Sequence, residues 1–145
     1  MAETFPQEGL DRLLQINAGG SYTSAPTVLW LGLFVSQSAT TVIAPTAGMS
    51  IVTEPSGYAY VRATILATFW GAATFYASGR IVTASQIAFP TAGGVWGSVN
   101  GFFLTPTSGL AAAPILYQAN FDDNSQLPIA TYDRVQVAPS IKFSY

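Results

Sequence analysis

Between Arg12 and Glu54 the chain carries no charged residue, and between Arg80 and Asp122 it again carries none. Five Lys and Arg plus seven Asp and Glu make twelve charges in 145 residues, 8% of the chain. A domain of this size that stands alone usually presents ~25–35% charged residues on its surface. Ser and Thr keep part of the remainder wet. The rest is predicted to lie against other subunits, because large exposed apolar patches mark interaction sites. The chain therefore reads as an obligate oligomer or as a component of a larger assembly.

The length suits one domain, residues 1–145, with a core that needs no disulfide or structural metal. His and Cys are both absent. Their absence excludes a Ser-His-Asp triad, a Cys nucleophile and a His general base. It also excludes zinc fingers and His-based catalytic zinc sites. The few basic residues are scattered, so no phosphate-tracking face is expected and nucleic acid is not a predicted partner. The first residues, Met-Ala-Glu-Thr, lack the basic start and apolar run of a signal peptide. Residues 63–79 are uncharged, but Thr64, Thr68, Thr74, Ser78 and two glycines read as strands and a turn, not as a membrane span.

Local patterns predict a mainly β chain with one short helix. Thr4 and Gln7 form a capping box, and Pro6 falls in the first turn, where its missing N–H costs little. Leu10, Leu13 and Leu14 then make one apolar stripe, and Gly19-Gly20 ends the helix. Residues 1–20 are accordingly the helical segment and 21–145 a sandwich. Residues 27–35 are apolar on both faces, which predicts a central strand buried on both sides. Residues 36–57 read as a long loop with a short strand at 49–52. Further strands are predicted at 58–66, 69–76, 81–89, 96–104, 115–121 and 133–145, with Pro139 demoting the last to an edge or a bulge. About seven or eight strands with frequent turns give an antiparallel β-sandwich.

Four features carry chemistry-bearing residues, and each has a structural reading. Asp122, Asn124 and Asp133 approximate a calcium loop, but Leu127 stands where glycine is needed, and a solvated turn is the expected state. The adjacent carboxylates of Asp122 and Asp123 point to opposite faces of a strand, which disqualifies them as a glycosidase pair. Lys142, the lone lysine, reads as an edge-strand charge that discourages further pairing. Trp30, Trp70 and Trp96 fall inside strand patterns and read as core or interface, whereas Tyr22, Tyr58 and Tyr145 are the tyrosines expected to be exposed. No catalytic residue, metal site or cofactor is predicted.

Four motifs stand in order: Phe5-Pro6-Gln7-Glu8-Gly9-Leu10 leading to Leu13-Leu14; Leu31-Gly32-Leu33-Phe34; Glu54-Pro55-Ser56-Gly57-Tyr58-Ala59-Tyr60-Val61-Arg62; and Trp96-Gly97-Ser98-Val99-Asn100-Gly101-Phe102-Phe103-Leu104. The series resembles a family of small tailed-phage virion proteins, some of which are cement or decoration proteins seated as trimers on the capsid. The loop at 105–113 departs from the Gly- and Asp-rich form of that family. Physically, Glu54 and Arg62 are expected to pair as an exposed ion pair worth ~0–1 kcal/mol. Gly57 permits a sharp turn into the strand, Trp96 anchors the sandwich, and Gly97 and Gly101 admit a close neighbour.

The resemblance implies a capsid cement protein on the virion surface, made in the host cytoplasm, with itself as a homotrimer and the major capsid protein as partners. The alternative is a tail-fibre or baseplate adhesin, disfavoured because the chain shows no coiled coil or collagen-like repeat. A helix shorter than ~12–15 residues is marginal unless covered. Its stripe, with neighbouring aromatics, therefore supplies the expected interface: Phe5, Leu10, Leu13, Leu14 and Tyr22.

Overall fold

A strand that is apolar on both faces must be paired on both edges and covered on both sides, and β2 (Val28–Phe34) is. The structure is a computed structural model that describes residues 3–4, 28–35, 53–77, 79–108, 115–121 and 126–144. In it β2 lies between β3 (Ala63–Leu66) and β8 (Gly101–Thr105), antiparallel to each. Beyond β8 come β9 (Tyr117–Asn120) and the two-residue β1 (Glu3–Thr4), giving a five-stranded sheet in the order β1-β9-β8-β2-β3. The helix expected just after Thr4 lies outside the described residues, as does most of the loop at 36–57.

The remaining strands are short. β7 (Gly97–Val99) pairs with β10 (Leu127–Ile129), and β6 (Ile87–Ala88) pairs with β11 (Gln136–Val137). β4 (Thr74–Tyr76), β5 (Gly79–Thr83) and β12 (Ser140–Ser144) make a three-stranded sheet with β5 in the middle. The protein is mainly β, built from several antiparallel sheets. Leu31, Leu33, Ile65, Phe102, Leu104 and Tyr117 from one face of the large sheet pack with Ile87, Val99, Ile129 and Val137 from the two small ribbons. Tyr60, Phe89, Trp96 and Val135 complete this core.

The opposite face of the large sheet is also buried. Phe34 and Phe103 are 1% and 0% exposed. In the register, Phe34 stands opposite Gly101, and Phe103 stands opposite Gly32. A Cβ on Gly32 would run into the Phe103 ring, and one on Gly101 would meet the Phe34 ring and the Ala119 carbonyl. Each phenylalanine therefore lies over the glycine of the partner strand. The close approach expected at Gly101 is thus made by this chain's own ring. Gly97 serves differently: its φ is 90°, and nothing crowds its open side.

Several strand boundaries differ from the sequence reading. The strand expected over 96–104 is two strands in different sheets, divided at Asn100. The buried Asn100 donates its N–H to the Phe34 carbonyl and accepts from the Phe121 N–H, so the chain turns a corner there. The strand expected over 58–66 begins only at Ala63, because Gly57, Tyr58 and Ala59 all hold positive φ. The strand expected over 69–76 is preceded by a 3-10 turn, Ala67–Phe69, and the stretch at 81–89 splits into β5 and β6. Pro139 breaks the last strand into β11 and β12, which belong to different sheets. β10, with Pro128 inside it, was masked in the sequence by that proline.

Candidate functional site

Glu54, Tyr60 and Arg62 converge inside the loop that leads into β3. Arg62 binds the Glu54 carboxylate with two nitrogens, Nε to Oε1 at 3.0 Å and Nη2 to Oε2 at 2.6 Å. The third contact of Arg62 runs from Nη1 to the Thr107 carbonyl at 3.0 Å. Its guanidinium carbon lies 5.3 Å from the centre of the Phe103 ring. The Tyr60 hydroxyl donates to Glu54 Oε1 at 2.9 Å and accepts the Leu33 N–H at 2.8 Å. That amide needs a partner because pairing between β2 and β3 ends at Leu31 and Ala63. Burial first, and the Glu54 charge second, push the Tyr60 phenol far above its usual pKa, so it remains a protonated donor.

The pair expected to be exposed is in fact buried: the side chains are 1% exposed for Arg62 and 7% for Glu54. Period-2 alternation explains the placement, since Tyr60 and Arg62 point inward while Val61 is 58% exposed. A buried, bidentate, fully partnered ion pair ties the loop, β2 and the end of β8 together. Its groups are engaged with one another, which suits positioning rather than reaction with a substrate.

A second feature is a set of exposed side chains on three loops that backbone hydrogen bonds link at Ala92 and Gly93. Tyr58 is 61%, Val95 64% and Tyr132 82% exposed. Tyr58 was anticipated as an exposed tyrosine; Tyr132 was not. The overlooked signal is the run from Ala130 to Asp133 between two apolar stretches, where an Asp closes a turn. Asp133 Oδ2 accepts the Ala130 N–H at 2.7 Å, so this carboxylate builds the turn that raises Tyr132 to a φ of 73°. That is the turn role the sequence gives it; Asp122 and Asn124 lie outside the described residues.

A third feature is a groove of about 550 Å³ along the free side of β3, between residues 61–64 and 86–90, with Phe69 at one wall. Val61, Phe69 and Gln86 in its lining are exposed, and Leu66 is exposed at the end of β3. Trp96 is core, as expected: it packs edge-on against Tyr60 at 5.3 Å, and its indole N–H reaches the Tyr58 carbonyl at 3.0 Å. Trp30 and Trp70 are half-buried. Lys142 lies half-buried on β12, an edge strand. The expected interface residues Phe5, Leu10, Leu13, Leu14 and Tyr22, with Tyr145, fall outside the described residues.

No protein-family model matches the chain, and a search of curated proteins returns no match.

Proposed function

We propose that this chain is a structural virion protein: a capsid cement or decoration protein that works as a homotrimer and stabilises a phage head by bridging subunits of the major capsid protein. The motif series supports this reading, and so does the chemistry of the surface. The observation that carries most weight is the apolar edge of the large sheet. Val61 and Phe69 are exposed in the groove along β3, and Leu66 is exposed at the end of that strand, in a chain with only twelve charges (five basic plus seven acidic). Such an edge gains free energy when another chain covers it, at roughly 25 cal/mol per Å² of apolar surface. A cement protein needs no active site, which accords with a buried ion pair spent on holding a loop.

Sedimentation of the purified protein at micromolar concentration tests the assembly, with a trimer expected and a stable monomer counting against it. A density map of the intact virion tests the location, with the protein expected on the capsid surface. The exposed Tyr58 and Tyr132 favour a second reading, a tail-fibre or baseplate adhesin, which the same map would reveal as density on the tail.

A further inference from the structure

We infer that the groove along β3 is a strand-insertion site, filled by one extended, uncharged segment of another polypeptide that pairs with the free edge of β3. The inference rests on the reading of that edge as a covered one, and it names what covers it. The groove begins where a ladder comes apart. Trp70 and Ala84 form an antiparallel bridge, the Ser85 N–H donates to the Phe69 carbonyl at 2.8 Å, and the Gly71 N–H donates to the Thr83 carbonyl at 2.9 Å. From this closed end one arm runs back through the 3-10 turn Ala67–Phe69 into β3, and the other runs forward into β6. Residues 61–64 and 86–90 of the two arms are the walls. Continued at the same register, the ladder would set Thr64 opposite Pro90, which has no N–H to give.

Both walls aim backbone groups into the groove. In an antiparallel ladder, successive residues of a strand turn their N–H and C=O to opposite edges. The Leu33 N–H meets the Tyr60 hydroxyl on the β3 side of β2, while the Phe34 carbonyl accepts the Asn100 N–H on the β8 side. Odd-numbered residues of β2 therefore bond to β3, Leu29 with Ile65 and Leu31 with Ala63. That leaves the N–H and C=O of Thr64 turned to the free edge. On β6 the Phe89 N–H donates to the Val135 carbonyl, which sets Ile87 against Val137 and turns Ala88 away from β11. No residue of β11 lines the groove, so Ala88 faces it. Among the described residues no backbone hydrogen bond joins Thr64 to Ala88 across the gap. Each offers a donor and an acceptor, which is what an added strand takes up.

The lining selects the kind of strand. Among the described residues Arg62 is its only charged member, and that guanidinium is bound to Glu54. With Val61, Phe69 and Gln86 exposed and no charge to spare, the groove suits a neutral segment with apolar side chains. A rigid globular face suits it less. A stable pair of proteins buries ~800 Å² on each partner, whereas Val61, Phe69 and the neighbouring Leu66 are three side chains, each only partly exposed. An inserted strand draws its affinity from main-chain hydrogen bonds instead. Nor is this edge guarded. β10 carries Pro128 and β12 carries Lys142, two features that discourage added strands, and β3 has neither.

The test is titration of the full chain with the peptide acetyl-Gln-Val-Thr-Val-Thr-Val-Gln-amide, read by backbone amide shifts and by hydrogen exchange. Shifts are expected on residues 61–66 and 86–90, and exchange of the Thr64 and Ala88 amides is expected to slow by about tenfold or more. The same peptide methylated on every Val and Thr nitrogen keeps its side chains but cannot pair, and is expected not to bind. Val61→Lys places a charge at an exposed position on the edge and is expected to weaken binding by about tenfold or more. Phe75→Ala removes an exposed aromatic from the three-stranded sheet and is expected to leave affinity unchanged. Absence of binding at millimolar concentration would overturn the inference, as would shifts centred elsewhere or equal affinity for the methylated peptide. If Val61→Lys instead dispersed an oligomer of the chain alone, a second copy would fill the groove and the inference would fail. Sedimentation of the wild type and the virion map test the cement reading separately, so a peptide that does not bind leaves that reading standing.

Discussion

The five-stranded and three-stranded sheets use aromatic residues in opposite ways. In the large sheet, Phe34 and Phe103 are sealed against the glycines of neighbouring strands and see no solvent. In the small sheet, Phe75 on the edge strand β4 is 74% exposed and carries the Arg80 guanidinium, whose carbon lies 3.8 Å from the ring centre. Phe75 and Arg80 stand directly opposite in the register. A ring packed on a glycine depends on an absent side chain and tolerates no change. A ring capped by a flexible cation in water tolerates almost any.

The difference can be broken most severely at Gly101. Gly101→Ala is expected to cost about 3 kcal/mol or more, because the new methyl meets the Ala119 carbonyl, which is backbone and cannot swing aside. Urea denaturation measures this directly. Gly32→Ala should cost less, since the obstacle there is the Phe103 side chain. A larger loss at Gly32 than at Gly101 would refute the ring-on-glycine account.

Comparable in size is the ion pair that borders the same buried face. Arg62→Ala leaves Glu54 as a buried charge without its bidentate partner and is expected to cost roughly 3–5 kcal/mol. Replacing Glu54 and Arg62 together by apolar residues of similar volume should cost less than Arg62→Ala alone, because no charge is left stranded. A double-mutant cycle on thermal unfolding reads the coupling. If the two losses simply added, the pair would not be acting as a unit.

Tyr60→Phe is smaller again, about 1–3 kcal/mol, since it strands the Leu33 N–H and removes a donor to Glu54. Its pH signature is sharper than its size. The folded phenol has a raised pKa, whereas the unfolded one ionises near ~10. Stability from this group is therefore fully present below pH ~10 and declines above it, by up to ~1.4 kcal/mol per pH unit. Alkaline denaturation of the wild type should be steeper than that of Tyr60→Phe, and equal slopes would refute the burial argument.

The smallest effect is expected at Phe75. Phe75→Ser should move stability by no more than about 0.5 kcal/mol, as for exposed positions in general. A loss comparable to Gly32→Ala would mean that the three-stranded sheet is covered by another chain in solution. The same measurement at several protein concentrations would then tell the two situations apart.

The mainly β antiparallel character, the centrality of β2, the core position of Trp96 and the exposure of Tyr58 were legible from the sequence. All four follow from periodicity and local residue preference, which act over a few residues. The partnership of Glu54 and Arg62 was legible too, because both belong to one short motif. Its burial was not: exposure depends on what Thr107 and Phe103 contribute from β8 and beyond, and no spacing rule announces that. The division of residues 96–104 at Asn100 was hidden for a similar reason. A strand that changes sheets keeps its alternation, and only the hydrogen bonds to Phe34 and Phe121 mark the corner. The exposed Tyr132 lay furthest from view, since its turn is held by hydrogen bonds to Ala92, dozens of residues away. Local sequence thus determined which segments are extended and which side chains are apolar. Tertiary contact alone decided which polar groups are sealed and which aromatics stand in water, because both depend on which distant segments come to lie on top of them.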